Sequence, residues 1–340
     1  MGKDIDSKNL LIIKPGAIGD LVQLTPVIRA LAARYPGSRI SLLVGTRATA
    51  TLFKYNPYVA ETIVFERRGE HGSFSSLLKL WRHLWRMKYD LVINFQRSNL
   101  RIWFLATAAF PCRLLVYHKA RNQSVHVVDN YLDTLTPLDI SGQNRNLELA
   151  VGDEDERFAE DLFSLNGYGG KIVIALNPGA SHPVNRWSVE RFAALADALV
   201  KGLSVKIIII GGPEDIVLAK AISSATSSRP LVLCGNTTLL QLGAVLKRCN
   251  LLISGDTGPL HLATAVGTRV VALFGAADPA RTGPVGTGHR VIQANGVACR
   301  PCRRRVCTSS VDRECMEKIS IQEVFDAVKD MVMPKRTEIV

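Results

Sequence analysis

The sequence predicts an α/β protein made of two doubly wound halves, each a parallel sheet flanked by crossover helices. Short apolar, β-rich runs alternate with amphipathic stretches of helical spacing, the pattern of strand–helix–strand units. The alternation breaks once, at the acidic stretch from Gly152 to Asp161 and then Gly167-Tyr168-Gly169-Gly170, and resumes afterwards. The loops rich in glycine, proline and single charged residues follow directly on apolar runs, where an open α/β sheet binds its ligands.

In the first half the predicted strands are Leu10 to Lys14, Arg39 to Val44, Thr62 to Phe65 and Leu91 to Phe95. The first helix is expected to start with Thr25 as cap and Pro26 in its first position, with Val27, Ile28, Leu31 and Ala32 along one face. Pro15 to Asp20 is then an extended connection at the carboxyl end of strand one. In the second half the strands are Ile172 to Leu176, Val205 to Ile210, Leu231 to Leu233, Leu251 to Ile253 and Val270 to Phe274, and a last helix runs from Ser320 to Met331. The expected domains are residues 1–165 and 166–340, with a cleft between the carboxyl ends of the two sheets.

A chain of 340 residues, 47% apolar, is long enough for two sizeable cores. No run approaches the ~18 apolar residues of a membrane span, and no signal-peptide core opens the chain, so the expectation is a cytoplasmic globular protein with its seven cysteines reduced. The net charge of +12 is uneven. Residues 1–150 carry 20 Lys and Arg against 11 Asp and Glu, residues 151–289 carry 12 of each, and 290–318 carry 7 against 3. Such a field draws an anionic partner to one side, or serves only solubility. No nucleic-acid-binding module is recognisable.

Four loops carry candidate chemistry. In Ser254-Gly255-Asp256-Thr257-Gly258-Pro259-Leu260-His261, Thr257 or Asp256 caps a helix whose free N–H groups and positive dipole end suit a phosphate, approached closely beside Gly255 and Gly258. Gly16 and Gly19 flank a turn lacking the first glycine of a dinucleotide fingerprint, which disfavours a nicotinamide or flavin oxidoreductase. Asp20 in that turn is either a general base for an attacking hydroxyl or a turn-capping carboxylate. Asn177-Pro178-Gly179-Ala180-Ser181 and Asn185-Arg186-Trp187 offer small residues and a cation, with Trp187 a packing residue. Gly211-Gly212-Pro213-Glu214-Asp215 places carboxylates where ribose hydroxyls could be held.

Taken together, Lys14 to Asp20 with Thr25-Pro26, Asn177 to Ala180 with Arg186-Trp187, and Gly255 to His261 resemble the ADP-heptose:lipopolysaccharide heptosyltransferases, glycosyltransferase family 9, over nearly the whole chain. The resemblance implies a GT-B fold of two Rossmann-like domains facing a central cleft, an ADP-heptose donor on the second domain, a lipid A–Kdo acceptor on the first, and inverting transfer without a metal cofactor. It implies Asp20 as general base beside Gly16 and Gly19 on the acceptor side. It places Gly179, Ala180, Asn185, Arg186, Glu214, Asp256, Thr257, Gly258 and His261 on the donor side, His261 being equally well a structural histidine. Many members carry lysine where this chain has Asn185, which removes a cation from the leaving-group site. Association with an anionic membrane surface at the inner face of the inner membrane, and no nucleic acid, follow as expectations. The alternatives are a transferase of another nucleotide sugar or a non-catalytic sugar-nucleotide-binding protein.

One segment stands apart: Cys299, Cys302, Cys307 and Cys315, crossed by Arg300, Arg303, Arg304 and Arg305. Four thiols this close suit a structural zinc, disulfides or reduced thiols, and the arginines suit an acidic acceptor.

Overall fold

A computed structural model describes residues 9–67, 69–96, 99–118 and 124–333. The chain divides into two compact units, Met1–Ala150 and Val151–Val340.

The first unit runs β1 (Asn9–Ile13), α1 (Ile18–Val22), α2 (Thr25–Arg34), β2 (Arg39–Val44), α3 (Arg47–Ala50), β3 (Val59–Val64), α4 (Phe74–Arg86), β4 (Leu91–Asn94), α5 (Leu100–Thr107), β5 (Arg113–Val116) and α6 (Val127–Asp133). All neighbouring strands pair in parallel in the order β3-β2-β1-β4-β5. A sheet covered on both faces needs near-continuous apolar strands, and Leu10 to Ile13 are all buried. Leu77, Leu80 and Leu84 of α4 and Ile102 and Leu105 of α5 close one face. The chain winds outward through β2 and β3, then returns to place β4 on the other side of β1. The carboxyl ends of β1 and β4 therefore form a topological switch point, where the loops diverge and leave a crevice.

The second unit continues with α7 (Asp153–Leu165), β6 (Val173–Asn177), α8 (Val189–Leu203), β7 (Lys206–Ile209), α9 (Ile216–Ala225), β8 (Leu231–Val232), α10 (Leu239–Arg248), β9 (Leu251–Gly255), α11 (Gly258–Ala265), β10 (Arg269–Leu273), α12 (Pro279–Thr282), β11 (Arg290–Ile292), α13 (Glu314–Glu317) and α14 (Ile321–Val332). Its parallel sheet has the order β11-β10-β9-β6-β7-β8, so the switch point lies between β6 and β9. Ser320 caps α14 by accepting the Glu323 N–H at 3.1 Å, and Val324, Val328 and Met331 seat that helix in the core of this unit.

Four sequence expectations change. Pro15 to Asp20 is not wholly extended: Ile18 to Val22 form a helical turn, because Asp20 at its third position accepts the Ala17 N–H at 3.3 Å and closes the start. Thr25 is the first residue of α2 rather than its cap. Its hydroxyl donates to the Val22 carbonyl at 2.8 Å and accepts the Glu148 N–H at 3.1 Å. The strands β5 and β11 carry no long apolar run, since each is a short edge strand with partly solvated residues.

The fourth change is the division between units, which falls after Ala150 rather than after residue 165. The acidic stretch is the first turns of α7, where Asp153, Glu154, Asp155 and Glu156 face the positive helix end. The helix belongs to the second unit because Glu156 pairs with Lys247 at 2.6 Å and Glu160 with Arg248 at 3.4 Å, both on α10.

Candidate active site

The switch point of the first unit gathers Lys14, Gly16, Asp20 and Tyr131. Asp20 projects from α1 with its side chain 41% exposed, while Lys14 is 9% exposed and reaches it at 3.4 Å. The Tyr131 hydroxyl, from α6, donates to the same carboxylate oxygen at 3.1 Å. Lys14 also lies 5.1 Å from the centre of the Tyr131 ring, a cation over an aromatic face. Tyr131 is packed edge-on against Phe95 and Tyr117. Burial first, then the Asp20 charge, pushes its phenol well above the ordinary value, so it stays a proton donor to Asp20. Asp20 thus both caps a turn and presents a half-exposed carboxylate oriented by two further groups.

Gly16 is required by contact. A Cβ there would lie 2.9 Å from the Asp20 Cβ and 3.1 Å from the Lys14 Cε. Gly19 is buried inside α1. A cavity of about 560 Å³ opens beside these residues, with Pro15, Thr46, Arg67, Gln96 and Asn99 on its wall.

At the switch point of the second unit, Asn177 ends β6 and is 2% exposed. Its amide donates to the Ser254 hydroxyl at 3.0 Å, the Thr257 hydroxyl at 3.2 Å and the Gly179 carbonyl at 3.2 Å. This knot ties the ends of β6 and β9 to the start of α11. Thr257 occupies the cap position in extended backbone, yet its side chain faces Asn177 and not the helix. Gly258 follows as the first helical residue, with Pro259 behind it. Gly255 has no room for a side chain, since a Cβ would meet the Asn185 carbonyl at 2.9 Å.

Asp256 is half-buried beside this knot. Burial pushes its carboxyl from 3.8 up to about 6, against the lowering hydrogen bond of Thr282. Asn185 sits near it with a buried, unpartnered Oδ1. Arg186 turns inward: its Nε and Nη2 both donate to the Ala180 carbonyl, at 3.2 and 2.9 Å. Trp187 is a packing residue, edge-on to Phe192 and donating to the Ile319 carbonyl at 3.2 Å. Glu214 is exposed, whereas Asp215 is buried beneath it, accepting the Gly212 N–H at 3.1 Å. Gly179 passes so close that a Cβ would overlap the Asp215 carboxylate. His261 is buried within α11, as suits a structural histidine.

The four-cysteine segment holds its thiols at several depths of burial. Among the described residues no group of three or more His, Cys, Asp or Glu side chains is placed to hold a metal ion. Cys299 is exposed, Cys302 and Cys307 are half-buried, and Cys315 is buried in the core. Desolvation first, then the neighbouring Cys302, Cys299 and Cys307, raises the Cys315 thiol, which keeps it protonated. The Cys307 sulfur accepts the Arg313 N–H at 3.3 Å.

Sequence reasoning missed Tyr131 as a partner of Asp20, because nothing in a Val-Val-Asp-Asn-Tyr helix marks a residue that reaches back across the sheet. It also missed Lys14 as an orienting cation and Arg281 near Asp256, which lines the same cavity of about 230 Å³.

A family model described as glycosyltransferase family 9 (heptosyltransferase) matches residues 77–311. Lipooligosaccharide heptosyltransferase 2 of Campylobacter jejuni is 26% identical over 334 residues, covering 96% of this chain and 99% of that protein. The crystal structure of a family 9 glycosyl transferase from Veillonella parvula is similar at a TM-score of 0.88 and 26% identity, covering 98% of this chain and 99% of that one. Escherichia coli heptosyltransferase WaaC, solved with ADP, shares the fold at a TM-score of 0.71 and 18% identity, covering 95% and 99%.

Proposed function

This chain belongs to glycosyltransferase family 9, the heptosyltransferases, and from that premise we propose that it transfers heptose from ADP-heptose to the inner core of lipopolysaccharide. Its two Rossmann-like parallel sheets are those of the GT-B class. The observation that carries the reading is the pair of switch-point sites. One offers an oriented, half-exposed carboxylate, and the other offers a helix N-terminus beside a desolvated aspartate.

In the proposed step the acceptor hydroxyl attacks the anomeric carbon of the donor from the face opposite ADP. The new C–O bond forms as the bond to the phosphate oxygen breaks, ADP leaves with the electron pair, and the configuration inverts. Asp20 takes the hydroxyl proton, held in place by Lys14, Tyr131 and the Ala17 N–H. The backbone at Thr257 and Gly258 receives the diphosphate, where fixed donors stabilise charge as it develops. Asp256 accepts hydrogen bonds from sugar hydroxyls, and exposed Glu214 accepts those of the ribose. The leaving charge is met by the start of α11 and by Arg281, which shares the Asp256 cavity, so the reaction is proposed to need no metal. That the fold relative WaaC was solved with ADP supports an adenine-nucleotide ligand.

The acceptor reading includes peripheral association with an anionic membrane, and α4 is the surface that supports it. Phe74, Leu78, Trp81 and Trp85 recur at spacings that align them in one stripe, with Phe74 71% and Trp85 55% exposed. Lys79, Arg82 and Arg86 lie alongside, and the helix has no acidic residue. Exposed Leu100 of α5 adds to the apolar surface. No helix among the described residues is long and apolar enough to cross a membrane. Co-sedimentation with phosphatidylglycerol vesicles should be released by salt and weakened by replacing Lys79, Arg82 and Arg86 with glutamine. Binding unaffected by both would refute this surface.

The deciding assay is ADP release from ADP-heptose with a Kdo-bearing acceptor, for wild type and Asp20→Ala. Acceptor-dependent release that collapses in the variant supports heptosyl transfer. Release only from another nucleotide sugar, or ADP binding with no turnover by any donor, would replace it with the corresponding alternative.

A further inference from the structure

We propose that Arg281, Arg303, Arg304 and Arg305 form the diphosphate-binding cluster of the donor site, so that the cysteine-rich segment serves the donor rather than the acceptor; the proposal rests on the nucleotide-sugar reading above. All four line one cavity of about 230 Å³, together with Asp256 and Asn185. That volume is below the ~300 Å³ at which whole-ligand pockets begin, and suits the charged middle of a nucleotide sugar rather than all of it.

The positive charges around this cavity are not paired off. No described carboxylate is ion-paired with any of the four arginines, and Arg304 finds only the Thr308 hydroxyl. Nearby cations are paired: Arg313 with Asp312 at 3.0 Å, Lys318 with Glu314 at 2.6 Å, and Arg191 with Glu317 at 3.3 Å. The fold thus pairs Arg313, Lys318 and Arg191 with carboxylates, turns Arg300 onto the Ala294 carbonyl, and leaves these four facing a cavity that also holds the carboxylates of Asp256 and Asp278. Four guanidinium charges against two carboxylates leave an excess matching a dianionic diphosphate, which planar guanidinium groups bind in bidentate fashion.

Neither residue of the preceding loop supplies that charge. Arg186 is committed to the Ala180 carbonyl through two nitrogens, and Asn185 is neutral, its Oδ1 buried without a partner. The arginine segment is also anchored. The Arg303 N–H donates to the Ala276 carbonyl at 2.8 Å, just beyond β10, and Arg303 itself holds a left-handed backbone with φ of +55°. A non-glycine residue persists there only when its surroundings fix it. Buried Cys315 and the Cys307 contact with Arg313 fasten the segment further along. The cysteines then act as the anchor and the arginines as the contact.

The test is calorimetric titration of the full chain with ADP, AMP and adenosine, comparing wild type with Arg303→Gln/Arg304→Gln/Arg305→Gln and with the same variant carrying Asn185→Lys. ADP affinity should fall about tenfold or more in the triple variant, AMP less, and adenosine not at all, with a flatter dependence of ADP binding on salt. Lysine at position 185 should recover part of the ADP affinity alone, an effect that a merely structural role would not produce. ADP affinity unchanged in the triple variant, or adenosine lost together with ADP, would overturn the assignment. Wild-type protein that fails to bind ADP would instead overturn the nucleotide-sugar reading and this proposal with it.

Discussion

Replacing Asp256 with asparagine should stabilise the protein while abolishing turnover. Burial holds the Asp256 carboxyl at about 6 against an ordinary 3.8, so the folded state binds a proton more tightly than the unfolded chain does. Across that interval, at ~1.4 kcal/mol per unit, the ionised carboxylate costs the fold at most ~3 kcal/mol. Partial exposure to water reduces the realised cost to ~1–2 kcal/mol. The sign follows from proton counting. Well below pH 3.8 both states are protonated and the cost is absent, it grows as pH rises from there towards 6, and above 6 it is constant. Asparagine keeps the size and can still meet Thr282 without charge. At pH 8 the melting temperature of Asp256→Asn should therefore exceed wild type by ~2–8 °C, for a unit of this length, and the difference should vanish at about pH 3. Differential scanning calorimetry at both pH values, with ADP-release kinetics in parallel, reads both halves. A variant no more stable than wild type at pH 8 would refute the claim that this carboxylate is held at a cost for its task.

Three further outcomes test the first unit and the chemistry. Tyr131→Phe removes a donor to a charged acceptor worth ~1.5–3 kcal/mol, so kcat should fall at least about tenfold with KM nearly unchanged; equal kcat would show that the 3.1 Å contact does not position Asp20. Gly16→Ala should cost about a hundredfold in kcat with the melting curve little altered, because its Cβ would sit 2.9 Å from that of Asp20 and move the carboxylate; wild-type kinetics would mean the loop yields freely. Treatment with EDTA should leave the rate within about twofold, whereas a loss restored by magnesium would overturn the proposal that guanidinium groups and a helix end meet the leaving charge.

The division between what could and could not be read early is visible in particular residues. Leu251 to Ile253 and Ile172 to Leu176 announce buried parallel strands because a sheet covered on both faces demands continuous apolar residues. The loops after them carry Asn177, Asp256 and Gly258 for the same reason that any crossover sheet presents its loops at the carboxyl edge. β5 and β11 went unread because edge strands are half-solvated and carry no such run. The acidic start of α7 interrupts the apolar alternation because charge lowers local hydrophobicity, yet acidic residues at a helix N-terminus also stabilise the helix. The carboxylate next to Glu214 told the same lesson: Glu214 stays in solvent, while Asp215 folds under Gly179.

The sequence by itself determined the fold class, the two-unit division to within one helix, and the loops that carry candidate chemistry, since periodicity and turn residues act over a few neighbouring positions. Only the tertiary structure decided which distant groups meet: Tyr131 at Asp20, Lys14 beneath both, Arg186 turned onto Ala180, and Arg303 to Arg305 lining one cavity with Asp256. Those meetings depend on strand order and on where a helix returns to the sheet. No local pattern records them, because the order β11-β10-β9-β6-β7-β8 is a property of the packed sheet as a whole.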